Sequence, residues 1–324
     1  MKEYRWAVIG CGVIAKEMAE SMNKLGRSFY GVWNRTFEKA EAFAKEYQIP
    51  HVYKNVRELI EDTSIDIIYI ATPHNLHYPF LIKALNAGRH VLCEKAITLN
   101  SSELKEAVML SQERNVILAE AMTLYHLPLY KKLHQLLQEQ TLGSLRFIQM
   151  NFGSYKVYDM TNRFFCRELA GGALLDIGVY ALSFIRWFLS AAPDQITSQV
   201  KLAPTGVDEQ AGILLTNPAG EMASVSMTLH AKQPKRGMAA FDKGYLEIYN
   251  YPRACQAVIT YTEDGHQEII DLGNSEDSLI YEIQDMETAV SGGENLMHLD
   301  YTTDVMDIMT KLRKDWGIVY PEEE

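Results

Sequence analysis

Residues 5–22, RWAVIGCGVIAKEMAESM, restrict the fold more than any other stretch of the chain. Trp6, Ala7, Val8 and Ile9 are consecutive apolar residues and predict a short buried strand. Gly10, Gly12 and Ala15 follow as G-x-G-x-x-A, and Ile14, Ala15, Met18, Ala19, Met22 and Leu25 recur on one face of a helix. Strand, glycine turn and amphipathic helix in this order open a dinucleotide-binding βαβ unit. Gly10 allows the tight turn. Gly12 has no Cβ, so backbone N–H groups can approach a pyrophosphate, and Ala15 lets the helix lie close to the strand. The helix start, with Val13 and Ile14, supplies free N–H donors and the positive end of a dipole. Gly10, Gly12, Val13 and Ile14 are therefore candidate cofactor-binding residues. The plainer alternative is a βα turn that happens to contain glycines.

At 324 residues the chain exceeds the size at which one core usually divides, so two domains are expected, at 1–121 and 122–324. A formal net charge of −11 argues against nonspecific nucleic-acid binding but leaves room for a locally basic site. No apolar run suggests a membrane span, and no secretory leader separates Met1 from the first strand. Cys11, Cys93, Cys166 and Cys255 form no C-x-x-C pair, which predicts reduced thiols and a cytoplasmic protein. His74 and His77 form H-x-x-H without carboxylate or cysteine companions, so no metal site is expected.

Strands are predicted at 29–33, 66–71, 89–93 and 116–119, separated by helical patterns at 37–47, 76–87 and 100–113. This alternation predicts an α/β domain built on a doubly wound parallel sheet. Ligands in such sheets bind beyond the strand C-termini, which places Thr72, Pro73, His74, Asn75, Glu94 and Lys95 at the cofactor edge. The second strand ends in Asn34-Arg35-Thr36, where an NAD site usually carries Asp or Glu for the ribose 2′-hydroxyl. A carboxylate would repel a 2′-phosphate, whereas Arg35 can bind one bidentately, with Asn34 beside it. NADP(H) is thus favoured over NAD(H).

Alternating stretches at 145–155, 196–202, 210–216, 222–230, 244–249, 256–261 and 267–271 predict an α+β second domain. Its large, mainly antiparallel open sheet reads as a meander, with closing helices at 278–290 and 302–313, the last of which could pack back on the first domain. Residues 170–189 have helical apolar spacing, and Asp176 and Tyr180, four apart, share a face. Arg163 and Arg167 stand in the loop before them.

The segment ATPHNLHYPFLIKALNAGRHVLCEKA, residues 71–96, resembles the signature region of the Gfo/Idh/MocA oxidoreductases. The wording GGALLDIGVY, residues 171–180, is similar to the dihydrodiol dehydrogenase and 1,5-anhydrofructose reductase branch of that family. The resemblance covers essentially the whole chain. Ala96 stands where the family has proline, and Tyr125 where close relatives often have arginine. By this resemblance Lys95 sits beside nicotinamide and substrate, His77 has a hydrogen-bonding role near the cofactor, Asp176 contacts substrate and Tyr180 exchanges the proton. Arg163 and Arg167 are the candidates for the substrate rim, and by the resemblance the open face of the second sheet would meet a partner subunit, giving a homodimer or larger assembly. A sugar, polyol or cyclic diol is the implied substrate class. A tyrosine with an ordinary pKa of about 10 needs a neighbour such as the Lys95 ammonium to act as a base near neutrality. The reverse assignment, with Lys95 as the acid, stays open. So does a noncatalytic dinucleotide sensor on the same fold.

Overall fold

The computed structural model describes residues 3–324, which form two compact units. The first comprises the chain up to Ala121 together with Leu279–Leu299, and the second comprises Met122–Ser278 and Asp300–Glu324.

In the first unit, β1 (Trp6–Ile9), β2 (Gly31–Trp33), β3 (His51–Val52), β4 (Ile67–Ile70), β5 (His90–Glu94) and β6 (Leu118–Ala121) form one parallel sheet in the order β3-β2-β1-β4-β5-β6. Helices α1 (Val13–Lys24), α2 (Phe37–Tyr47), α3 (Val56–Glu61), α4 (His77–Asn86) and α5 (Ser101–Glu113) are the crossovers. Strands covered on both faces need continuous apolar runs, and all four residues of β1 and of β4 are buried. The strand order reverses at β1, which pairs with β2 on one side and β4 on the other. Loops leaving the C-terminal ends of β1 and β4 therefore flank the crevice where such sheets bind ligands.

The first unit also recruits a helix from the far end of the chain. Leu279, Ile283 and Met286 of α8 (Ser278–Val290) join the core that contains Trp6, Val8 and Met18. The Trp6 indole N–H donates to Glu287 Oε1 at 2.9 Å, and Arg27 pairs with the same oxygen at 2.6 Å. The spacing of α8 identifies a helix with one apolar face but carries no information on which sheet that face will meet. The segment Leu279–Leu299 thus departs from a simple division at residue 122.

The second unit is built on an eight-stranded sheet. Its strands are β7 (Leu145–Gly153), β8 (Gln195–Leu202), β9 (Asp208–Thr216), β10 (Met222–Thr228), β11 (Arg236–Phe241), β12 (Gly244–Tyr249), β13 (Gln256–Tyr261) and β14 (Gln267–Asp271). Their order is β14-β13-β12-β11-β7-β10-β9-β8. The sheet is mainly antiparallel but is not a meander, because β7 and β10 pair in parallel and β7 is inserted between β10 and β11. Strand β11, sequence RGMAAF, has no β-branched residue and escapes a propensity reading. It exists because of packing: a Cβ on Gly237 would come within 2.5 Å of the Phe184 ring.

One face of this sheet is covered. Helix α7 (Val179–Phe188) packs on β7 and β11, and α6 (Pro128–Gln138) packs on α7. Residues 167–188 are the one helical stretch, among the described residues, long and apolar enough to cross a membrane. Its apolar window is 78% buried, as a core segment of this unit. Tyr125 stacks on Trp187 with ring centroids 5.5 Å apart and is fully buried, so it is part of the core. On the other face, register aligns the outward side chains of neighbouring strands, including Leu214, Met222, Tyr245, Tyr249 and Ile269, all of them exposed. The chain closes with α9 (Leu299–Trp316) and a single 3₁₀ turn, Pro321–Glu323.

Candidate active site

In the first unit the predicted cofactor residues converge on the C-terminal ends of β1, β4 and β5. Gly10 has φ +106°, and a Cβ there would lie 2.5 Å from the Ala71 carbonyl oxygen, so both backbone and packing demand glycine. Gly12 differs. Its φ of −76° suits any residue, and the nearest atom to an added Cβ is 4.0 Å away. Nothing inside the protein requires glycine at that position. It caps α1 with no side-chain hydrogen bond and no acidic residue in the first turn, and Val13 beside it is 78% exposed. An open glycine beside uncapped helix N–H groups is a cradle that a Cβ would partly fill, and it fits a dinucleotide pyrophosphate. Thr72 Oγ1 is a buried polar atom with no partner among the described residues, and it lies in the loop next to Gly10.

His77 ties two of these loops together. The ring is fully buried, with Nδ1 2.9 Å from the Ala96 carbonyl oxygen and Nε2 2.8 Å from that of Thr72. Burial holds its pKa below the ordinary value, so the neutral ring donates to one carbonyl and stands against the other. His74 and Asn75 lie on the single 3₁₀ turn His74–Leu76, whose start is Pro73. The Lys95–Ala96 peptide is cis, and the next N–H, of Ile97, donates to the buried Glu120 carboxylate at 3.0 Å. Lys95 is thus bracketed by groups fixed to the sheet. Glu94 faces the interior, where it accepts a short hydrogen bond from the Tyr69 hydroxyl, so its side chain serves the core. At the end of β2, Asn34 donates to the Thr36 carbonyl at 3.0 Å, and Arg35 is exposed.

In the second unit, Asp176 lies in a wide π-helical turn, Leu174–Gly178, that leads directly into α7, where Tyr180 is the second residue. The sequence spacing predicts an uninterrupted helix here, and the structure inserts this turn. Gly178 lets it press on the sheet, since a Cβ would lie 2.9 Å from Met227 Sδ. Arg163 reaches within 3.7 Å of the Asp176 carboxylate, so these three predicted substrate residues belong to one unit, while Lys95 belongs to the other.

The turn is held from below by residues that carry no signal in the sequence. The Leu174 N–H donates to Asp208 Oδ2 at 2.6 Å, and Asp208 is completely buried. Gly172, φ +128°, is as close as a residue can come, because a Cβ would lie 2.3 Å from Asp208 Oδ1. The Tyr320 hydroxyl donates to the Gly171 carbonyl at 2.6 Å. Arg313 lies 4.6 Å from the Tyr320 ring and grips Glu323 with two bonds of 2.7 and 2.8 Å. Burial pushes the Asp208 carboxyl up to about 7, against the opposing pull of the Leu174 N–H and Arg313. No three His, Cys, Asp or Glu side chains converge as a metal site among the described residues.

Residues 4–122 match an oxidoreductase family with an NAD-binding Rossmann fold, and residues 130–249 match the GFO/IDH/MocA C-terminal domain. The chain belongs to the Gfo/Idh/MocA oxidoreductase family. It is similar to the trans-1,2-dihydrobenzene-1,2-diol dehydrogenase of Xenopus laevis, with 28% identity over 98% of this chain and 99% of that one. For the same enzyme of Xenopus tropicalis identity is 31% over 75% of this chain and 74% of that one. Among solved structures, the 3-ketoreductase KijD10 of Actinomadura kijaniata superposes with a TM-score of 0.85 at 21% identity, covering 97% and 98% of the two chains. The aldose-aldose oxidoreductase of Caulobacter crescentus gives 0.85 at 20% identity, covering 98% of each. A Gfo/Idh/MocA chain of this branch is a dehydrogenase or reductase acting on CH–OH groups, and its first unit is the NAD(P)-binding domain.

Two outcomes follow from this geometry. Gly12→Ala leaves urea stability within about 0.5 kcal/mol of the parent but weakens nicotinamide dinucleotide binding in a fluorescence titration, whereas Gly10→Ala costs about 2 kcal/mol or more of stability. The second concerns pH. In the unfolded chain Asp208 ionises near the ordinary 3.8, but in the fold it holds its proton to about 7. Its contribution to stability is therefore complete below pH 4 and is lost as pH rises to 7. Compared with Asp208→Asn, the parent loses up to about 4 kcal/mol of unfolding free energy over that window, measured by urea titration at each pH.

Proposed function

We propose that this chain is an NADP(H)-dependent oxidoreductase that transfers a hydride between nicotinamide and a carbinol or carbonyl carbon of a sugar, polyol or cyclic diol. The observation that carries the cofactor choice is the end of β2. No carboxylate stands there, Asn34 is turned onto its own loop, and Arg35 is exposed at the start of α2. Thr36, the residue after Arg35, begins that helix without a side-chain cap, and Glu38 stands in its first turn. The exposed guanidinium suits a 2′-phosphate. KijD10 was crystallised with NADP, which accords with the same choice.

The nicotinamide supplies the hydride acceptor or donor that protein side chains lack. This chain's own residues handle the rest. Tyr180 exchanges the proton with the substrate oxygen, Asp176 accepts a hydrogen bond from a substrate hydroxyl, and Lys95 supplies positive charge at the nicotinamide edge of the first unit. The carboxylate and phenol lie on one short segment, as a vicinal diol or sugar requires. The retention of both Lys95 and Tyr180 argues against a noncatalytic sensor.

A second copy of the chain is the natural cover for the outward face of the second sheet, where Leu214, Met222, Tyr245, Tyr249 and Ile269 are exposed. Four free cysteines, Cys93 buried among them, are in keeping with a reducing cytoplasm.

Arg35→Ala is expected to weaken NADPH binding by about tenfold or more and to leave NADH binding unchanged, read by nucleotide fluorescence. Tyr180→Phe should lower kcat by about 10²–10⁴-fold while NADPH affinity is retained. An NADH preference indifferent to Arg35 would overturn the cofactor choice.

A further inference from the structure

Arg163 and Asp176 approach each other from two segments that meet at one residue, Gly171. Before it, the loop from Arg163 wraps so tightly that a Cβ on Gly171 would lie 3.0 Å from the Arg163 carbonyl oxygen and 2.9 Å from those of Phe164 and Cys166. The Gly171 N–H donates to the Cys166 carbonyl at 3.0 Å, and the Gly172 N–H to that of Phe164 at 2.9 Å. After it, the Gly172 carbonyl accepts from the Asp176 N–H at 3.3 Å, which starts the π-helical turn. The Arg163 guanidinium then comes back to within 3.7 Å of the Asp176 carboxylate.

This reversal is strained and has to be held. Ala170 has φ +51° and Gly172 φ +128°, one on each side of Gly171. Left-handed backbone at a residue with a Cβ persists only where the surroundings impose it. The bonds within residues 163–176 fix the shape of the reversal; bonds from outside fix its place. The Thr205 hydroxyl reaches the part before Gly171, at the Phe165 carbonyl, and Asp208 reaches the part after it, at the Leu174 N–H. Tyr320, 149 residues away in sequence, reaches the buried Gly171 itself, donating to its carbonyl at 2.6 Å. Tyr320 is well suited to this. It is fully buried, its ring lies 4.6 Å from Arg313, and its own N–H donates to Glu323 at 3.0 Å. Burial pushes its pKa far up, so the hydroxyl is a constant donor.

We propose that Tyr320 is a positioning residue for the reaction: by holding the Gly171 carbonyl, its hydroxyl sets where Asp176 and Arg163 stand for the substrate. This rests on the reading of Asp176 as a substrate residue. Without that donor the buried carbonyl is unsatisfied, and the reversal turns toward another partner, carrying both side chains with it.

The test compares Tyr320→Phe, which keeps the ring beside Arg313 and removes only the hydroxyl, with Trp316→Phe. The second variant removes one side-chain hydrogen bond of the same unit, from the indole N–H to Ser198 Oγ at 2.9 Å, and that bond involves no residue of 163–178. Hydrogen exchange of the whole protein is read by mass spectrometry. Tyr320→Phe should speed exchange in residues 171–178 about tenfold and leave β7 unchanged, and Trp316→Phe should leave 171–178 as in the parent. Turnover is measured with NADP⁺ and trans-1,2-cyclohexanediol, D-glucose or myo-inositol, using the one the parent oxidises fastest. Tyr320→Phe should lower kcat/KM about 10- to 100-fold with NADPH affinity retained, and Trp316→Phe should stay within about twofold of the parent. Unchanged exchange at 171–178 in Tyr320→Phe, faster exchange there with kcat/KM unchanged, or equal losses in the two variants overturns the proposal. The underlying reading fails separately: if Asp176→Asn turns over as the parent does while Tyr320→Phe speeds exchange at 171–178 and lowers kcat/KM, Tyr320 still positions this segment, and the substrate role of Asp176 is lost.

Discussion

Everything at the cofactor edge depends on how closely β1 approaches the end of β4. The Gly10 N–H donates to the Trp33 carbonyl at 2.8 Å, and the Ala71 N–H donates to the Ile9 carbonyl at 2.9 Å. The ends of β1, β2 and β4 are therefore joined at two adjacent residues, Ile9 and Gly10, and Gly10 has to pass the Ala71 carbonyl with no side chain at all. Once that crossing is made, the chain enters α1 with its first N–H groups pointing outward. It also leaves β4 into Thr72, whose carbonyl faces His77. The same ring faces Ala96, so the position of Lys95 is referred, through one buried imidazole, to the crossing at Gly10.

The second unit solves a similar problem with polar contacts. The segment bearing Asp176 is nearly all apolar and would pack in several ways against a flat sheet. What selects one position is a short set of directional bonds beneath it, from Asp208 to the Leu174 N–H and from the Tyr320 hydroxyl to the Gly171 carbonyl. A carboxyl with one buried oxygen lacking a partner is expensive as an anion, and burial raises its pKa accordingly. Kept protonated, it is a neutral acceptor for the turn, with Arg313 engaged mainly by Glu323. The last residues of the chain are thereby part of the framework of the candidate site.

Local chemistry was legible in the sequence and distant chemistry was not. The glycine loop, the apolar runs of β1 and β4, the missing acid after β2 and the pairing of Asp176 with Tyr180 all fall within a few residues of one another, where period and turn rules operate. Asp208 meets Leu174 across 34 residues, and Tyr320 meets Gly171 across 149. No spacing rule reaches that far. Strand β11 was hidden for a related reason: Gly237 is there to admit Phe184, a fact about a helix some fifty residues earlier. Glu94 shows the converse. Its position at the end of β5 points to the cofactor, but strand alternation turns its side chain to Tyr69.

Net charge illustrates the same division between average and local properties. A chain at −11 has a mean field that repels nucleic acid, but that average leaves room for a locally basic site. Binding, however, responds to the charges within about a Debye length, roughly 8 Å at physiological salt. In the second unit Lys156 and Arg163 lie over the Phe164 ring and Lys235 over that of Phe152, and the ring faces stabilise these three cations whatever the net charge of the chain.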